Sequence, residues 1–195
     1  MPNFLDEQYW TERYLHQKTG WDIGKPSDPI KQYLDQFSNK DAKILIPGAG
    51  NAYEAAYAYR AGFTQVFVLD FSPVPLEQFR ISCPEFPQDQ IFTMDFFSHQ
   101  GKYDLILEQT FFCAINPSMR PLYAAHMHRL LKPGGKLVGV LFDRNFSHEG
   151  PPFGGGVQEY LGYFGPYFSD LSMDPCYNSI PPRMGSEVFL KARKS

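Results

Sequence analysis

Two hydrophobic rhythms divide the chain. Near the start, Tyr9, Trp10, Arg13, Tyr14 and Gln17 fall three and four apart, which predicts a helix over residues 6–18, ended by Thr19-Gly20. Ser27-Asp28-Pro29 reads as a second helix start, a capping side chain followed by Pro near the first helical position, and Ile30, Leu34 and Phe37 give that helix an apolar face. From residue 43 the rhythm changes to short apolar runs without polar alternation, at 43–46, 65–69, 91–94, 103–107 and 136–142. Such runs read as strands covered on both faces. Between them lie helical stretches at 53–61, after Ser72-Pro73, and at 117–131, the last closed by Lys132-Pro133-Gly134-Gly135. Buried strands alternating with helices predict parallel β-α-β units and an α/β, doubly wound, Rossmann-like sheet. The tail reads differently: a loop at 150–156, a short helix at 157–164, and two strands at 167–173 and 186–191, an antiparallel pair at the sheet edge.

Composition narrows the class. A chain of 195 residues suits a single domain, with residues 1–40 as a helical cap on it. The formal net charge of −3 argues against a basic nucleic-acid surface. With 18 Phe and 12 Tyr, large rings must fill the core or line a pocket. No apolar run is long enough for a membrane span, and the N-terminus lacks the pattern of a secretory signal. Cys83, Cys113 and Cys176 are scattered and odd in number, which fits a reducing compartment and forms neither a disulfide framework nor a zinc site. His126 and His128 stand two apart on a helix, so they point to different sides and do not form a metal site. A cytoplasmic location, a small-molecule substrate, and no nucleic-acid or membrane partner are expected.

In an open α/β sheet, ligands bind at the carboxyl ends of the strands. The first strand here runs into Gly48-Ala49-Gly50, where glycines allow close backbone approach and a helix N-terminus offers free N–H groups. Asp70 ends the second strand, placed to accept from ribose hydroxyls. Asp95, followed by Phe96 and Phe97, ends the third, where a carboxylate and a ring suit an adenine. A dinucleotide fingerprint would need a third glycine where Tyr53 stands, and no Walker lysine is present. An adenosine without a pyrophosphate remains, and that points to S-adenosylmethionine. Each residue also has a plainer reading: Gly48-Ala49-Gly50 as a tight turn, Asp70 and Asp95 as turn or helix caps, Trp10 and Trp21 as core rings.

The runs at 21–26 (WDIGKP), 44–50 (ILIPGAG), 95–97 (DFF), 110–114 (TFFCA), 130–135 (LLKPGG) and 148–153 (HEGPPF) resemble the thiopurine, halide and thiol methyltransferases, most nearly the plant-type halide and thiol enzymes. The resemblance extends from about residue 9 to 153. It implies a seven-stranded S-adenosylmethionine-dependent methyltransferase sheet, mostly parallel with an antiparallel C-terminal edge, and no metal. It also implies a cofactor wrapped by N-terminal rings. Trp10 and Trp21 match two of these, and Tyr14 keeps a ring where the pattern has a third tryptophan. Gly48, Asp70, Asp95 and Phe96 match cofactor contacts, with Gly50 beside them. Gln109, also expected at the cofactor, stands where halide-type relatives often carry Tyr and makes that end of the pocket more polar.

The implied reaction is in-line methyl transfer to a small soft nucleophile, a thiol, sulfide or halide, leaving S-adenosylhomocysteine. Alignment and exclusion of water matter most in such a transfer. No general base is required. Asp143, after the fifth strand, is the one candidate to orient or deprotonate an acceptor. The loop at 150–156 is expected to cover the acceptor, its three consecutive glycines suggesting a mobile lid. Phe111, His148, Pro152 and Phe153 are candidate acceptor contacts. A monomer or weak homodimer is expected. Two other classes compete: a non-catalytic protein binding the same cofactor or product, and an NAD-dependent oxidoreductase.

Overall fold

The computed structural model describes residues 5–195. Seven strands form one sheet: β1 (Ile44–Pro47), β2 (Val66–Asp70), β3 (Ile91–Thr93), β4 (Tyr103–Gln109), β5 (Leu131–Phe142), β6 (Asp170–Pro175) and β7 (Glu187–Arg193). Their order is β3-β2-β1-β4-β5-β7-β6. The first five are parallel, and β7 runs antiparallel to both β5 and β6. The two late strands therefore pair as expected, but β7 inserts between β5 and β6.

Helices α1 (Glu7–Leu15), α2 (Asp28–Gln36), α3 (Tyr53–Arg60), α4 (Pro73–Ser82), α5 (Arg120–Leu130) and α6 (Val157–Phe164) complete the chain. One face of the sheet packs against α2, α3 and α4 through Ile30, Leu34, Ala55, Ala58, Leu76 and Phe79. The other packs against α5 and α6 through Tyr123, Met127, Tyr160 and Phe164. Covering on both faces is why Ile44, Leu45 and Ile46 are all apolar and all buried. Helix α1 is different. Asp6 caps it by accepting from the Tyr9 N–H at 2.9 Å, but none of its residues is buried. The hydroxyls of Thr11 and Ser72, 2.9 Å apart, link it to the start of α4. Among the described residues no helix is long and apolar enough to cross a membrane.

Several boundaries differ from expectation, three of them for a local reason. The third strand stops at Thr93, and Asp95 caps the 3-10 turn Phe96–Ser98, its carboxylate accepting from the Phe97 N–H and the Ser98 hydroxyl. The fourth strand continues two residues past its apolar run, because Glu108 and Gln109 still pair with Gly139 and Val140. The segment at 132–135 is an irregularity within β5: pairing jumps from Tyr103–Leu131 to Leu105–Lys136. A side chain at Gly135 would come within 3.0 Å of the Tyr103 carbonyl, so this position needs glycine.

Candidate active site

The carboxyl ends of β1, β2, β4 and β5, the N-terminal segment and the loops after β5 enclose a cavity of about 840 Å³. On its first wall the chain from β1 turns sharply. Gly48 and Gly50 both have positive φ, at 60° and 54°. A Cβ on Gly48 would lie 2.9 Å from the Phe111 Cβ, and one on Gly50 would lie 2.6 Å from the Tyr14 hydroxyl. Both glycines are thus required by conformation and by crowding.

Asp70, at the end of β2, fixes this turn. One carboxylate oxygen accepts from the Gly50 N–H at 2.8 Å, the other from the Ser72 N–H at 2.9 Å. Burial leaves its pKa raised, with the backbone donors opposing the shift only in part. The side chain that caps this turn therefore also lines the cavity.

Above this wall stand three rings. Trp10 and Trp21 meet edge to face at 5.5 Å, and Tyr14 meets Trp21 at 5.8 Å. Burial first, and the neighbouring Asp70 charge next, push the Tyr14 hydroxyl pKa up, so it stays neutral. Asp95, Phe96 and Phe97 close one end of this wall. Gln109 lines it as well, its side-chain oxygen accepting from the Ser27 hydroxyl at 2.7 Å.

The far wall is mostly apolar, with Phe111, Met119, Phe142, Pro151 and Pro152, but it also carries Arg144 and Arg183. The Arg183 guanidinium donates to the Trp21 carbonyl at 2.7 Å and lies 3.6 Å from Glu187. With Arg13 and Lys18 on the first wall, four cations line the cavity. Its described lining holds two carboxylates, Asp70 and Asp95, and no histidine.

Behind Phe111 lies Glu108, fully buried. One of its oxygens accepts from the Phe111 and Phe112 N–H groups at 2.6 and 2.9 Å. Burial, and secondarily the Glu187 charge, push its carboxyl up to about 8.

Of the residues expected at a site, Trp10, Tyr14, Trp21, Gly48, Asp70, Asp95, Phe96, Gln109, Phe111 and Pro152 line this cavity. Gly50 lines a smaller adjoining space. Three others are not on the wall. Asp143 is exposed, and its carboxylate accepts from the Val157 N–H at the start of α6. His148 is exposed and stacks on Phe146 at 5.3 Å. Phe153 is held through its backbone, its N–H donating to the Cys113 carbonyl at 2.7 Å. The glycines at 154–156 do not mark open loop. A Cβ on Gly154 would meet the Asn145 Cα at 2.8 Å, and one on Gly155 the Tyr160 hydroxyl at 2.5 Å. Close backbone packing accounts for these two, whereas freedom of a lid was expected.

Sequence reasoning named Phe97 beside Asp95 but selected Phe96 as the contact, and it missed Arg13, Arg144, Arg183 and Glu108. An acid closing a buried strand, as Asp70 does, was the available signal for Glu108. Arg183 lies in a weakly patterned tail and reaches the cavity only because β7 is inserted beside β5. Among the described residues no group of three or more His, Cys, Asp or Glu comes together to hold a metal ion.

Comparison with known proteins agrees with this arrangement. A solved structure, 1,6-didemethyltoxoflavin-N1-methyltransferase from Burkholderia thailandensis with 1,6-didemethyltoxoflavin and S-adenosylhomocysteine bound, shares the fold. Its TM-score is 0.77 at 17% identity, over 97% of this chain and 87% of that one. Probable thiol methyltransferase 2 of Arabidopsis thaliana is 33% identical over 192 residues, covering 95% of this chain and 84% of the relative. Thiocyanate methyltransferase 1 of Brassica oleracea is 30% identical over 200 residues, covering 100% of this chain and 88% of the relative. The model of the family described as Thiopurine S-methyltransferase matches residues 5–175. The chain belongs to the thiopurine S-methyltransferase family and is an S-adenosylmethionine-dependent methyltransferase.

Proposed function

We propose that this methyltransferase acts on a small, soft, anionic nucleophile, a thiolate or sulfide first and a halide second. The observation that carries the reading is the charge of the cavity wall: four cations, of which Arg183 alone is set against a described carboxylate (Glu187), no histidine, and two carboxylates already accepting from backbone amides. Such a wall attracts an anion and offers no free base to a neutral acceptor. The similarity to thiol and thiocyanate methyltransferases supports the same chemistry.

The first wall fits S-adenosylmethionine. Gly48 and Gly50 give the turn after β1 its positive φ and let Phe111 and Tyr14 close against its backbone. Each Asp70 oxygen has one backbone donor and keeps a second acceptor position for a ribose hydroxyl. Asp95 and Phe97 would hold the adenine, with Phe96 packed behind them. Trp10, Tyr14 and Trp21 would face the sulfonium, a cation that prefers aromatic faces by about 0.5–2 kcal/mol each. When bound, the cofactor supplies a methyl group already activated by that sulfonium. The protein's own task is to orient and to exclude water. The three rings cover the first wall, Phe111 and the Pro151-Pro152 pair narrow the second, and Arg144 and Arg183 draw the acceptor anion between them.

The same reading takes the chain as a single domain with residues 1–40 as its cap, cytoplasmic, and monomeric or weakly dimeric. It takes a small-molecule substrate, with neither nucleic acid nor membrane as partner. The testing experiment is calorimetric titration with S-adenosylhomocysteine, with NAD as control, followed by methyl-transfer assays with sulfide, small thiols, thiocyanate and iodide. Binding of S-adenosylhomocysteine alone, with turnover of a sulfur anion, is the expected result. Binding without turnover of any acceptor would turn the case toward a non-catalytic role, and binding of NAD toward an oxidoreductase.

A further inference from the structure

Arg120 opens α5 and is 1% exposed, the largest fully buried side chain described. It lines no part of the cavity. Its guanidinium spans three acceptors: Glu159 Oε1 at 3.0 Å from Nη1, and the carbonyls of Phe153 and Gly154 at 3.3 and 2.9 Å from Nη2. It lies over the rings of Phe112 and Tyr160 at 4.7 and 5.5 Å. Its Nε has no partner among the described residues.

A buried ion pair is weak evidence of stabilisation, because well-packed apolar side chains in its place are often neutral or better. An incompletely satisfied guanidinium is dearer still. Packing therefore does not account for an arginine here. What it does supply is a rigid fork on two successive carbonyls of the segment at 150–156. That segment is also held by the Phe153 N–H on the Cys113 carbonyl and the Gly155 N–H on the Arg144 carbonyl at 3.0 Å. Pro151 and Pro152, just before the clamped carbonyls, stand in the cavity wall with Cys113 and Arg144.

We propose that Arg120 is a positioning residue for the acceptor: it touches neither substrate nor cofactor, and by clamping the Phe153 and Gly154 carbonyls it sets where Pro151 and Pro152 bound the acceptor site. The proposal rests on the reading that the far wall receives the acceptor.

The test is Arg120→Lys, which keeps the charge but loses the planar fork. The expected signature is divided: the acceptor KM rises about tenfold or more while the S-adenosylhomocysteine Kd stays within about twofold and kcat falls less than KM rises. Amide hydrogen exchange on the free protein gives a readout that needs neither cofactor nor acceptor. Exchange at Phe153 and Gly155 should quicken, while the amides of β1 and β2 keep their protection. Glu159→Gln, which removes the counter-charge and leaves the guanidinium, should move both readouts the same way by less. It decides the matter if Arg120→Lys does not fold. A loss of stability with KM and exchange at 153–155 unchanged in the folded variant would make Arg120 a core residue and overturn the proposal. An unmodified protein that binds no S-adenosylhomocysteine would instead defeat the cofactor reading, and the exchange result would still decide whether Arg120 holds the segment.

Discussion

One wall of the cavity is three rings carried by a helix with no buried residue and the loop after it, whereas the other is backbone clamped by a fully buried guanidinium. Trp10, Tyr14 and Trp21 meet one another edge to face, with the Tyr14 hydroxyl set against Gly50, and α1 reaches α4 through the Thr11–Ser72 hydroxyl pair. The segment at 150–156 carries backbone bonds to Cys113 and Arg144 and a three-way clamp from Arg120. The first wall has much to gain from a ligand, because a ligand would supply the packing that α1 lacks. The second stands without one. A cation-bearing cofactor can close the first wall around itself, while an acceptor with few atoms needs a wall already in place.

Stability should separate the walls most. Arg120→Ala empties the site of the largest fully buried side chain described and takes a donor from the Phe153 and Gly154 carbonyls, and should cost about 3 kcal/mol. Trp10→Ala, on the unburied helix, should cost about 1 kcal/mol or less in urea unfolding without ligand. Equal losses would erase the contrast. On the ligand side, Asp70→Ala should weaken S-adenosylhomocysteine binding by about 1–3 kcal/mol in calorimetry, the worth of hydrogen bonds to a charged group. An unchanged Kd would remove Asp70 from the cofactor site.

A third difference concerns pH. The Glu108 carboxyl, pushed by burial from 4.5 to about 8, keeps in the folded protein a proton that the unfolded chain releases. Its contribution is therefore whole below about pH 4.5 and lost as pH rises to about 8, with a slope approaching 1.4 kcal/mol per unit. Glu108→Gln should flatten the stability profile across that window, and a profile that kept its slope would place the proton elsewhere. Smallest is the effect of Trp10→Ala on the cofactor: cationic S-adenosylmethionine should lose about 0.5–2 kcal/mol of binding, and S-adenosylhomocysteine, with its neutral sulfur, less. Equal losses for cationic and neutral ligands would make Trp10 a hydrophobic cover only.

What could be read early and what could not follow the same division. The runs that became β1 and β2, the glycines at 48 and 50 and the aspartate at 70 were legible because each signal is local: an apolar run, a turn composition, an acid at a fixed distance. The dual nature of Asp70, cap and cavity wall at once, was less so, since both readings rest on the same carboxylate. The far wall was mostly illegible. Asp143 and His148 were picked from their place in the chain, yet one caps α6 and the other is exposed, stacked on the lining ring Phe146 without lining the cavity itself. Arg120 and Arg183, which carry that wall's electrostatics and support, lie on a helix start and in a tail with no periodic signal. The glycines at 154 and 155 looked like freedom and proved to be close packing, because what they meet, Asn145 and Tyr160, cannot be known from the loop itself.

The sequence by itself determined the α/β class, the parallel strands in the first two-thirds, the methyl-donor family and the identity of the aromatic and acidic residues on the first wall. Those follow from short-range periodicity and from residues whose chemistry is tied to strand ends. Only the tertiary structure decided that β7 lies between β5 and β6, that Arg183 thereby reaches the cavity, and that Arg120 clamps the segment after β5. The Arg120 clamp and the Arg183 contact join residues 33 and 162 positions apart. Such pairings are selected by the burial of whole faces and the satisfaction of buried charges, quantities that no local window of the chain contains.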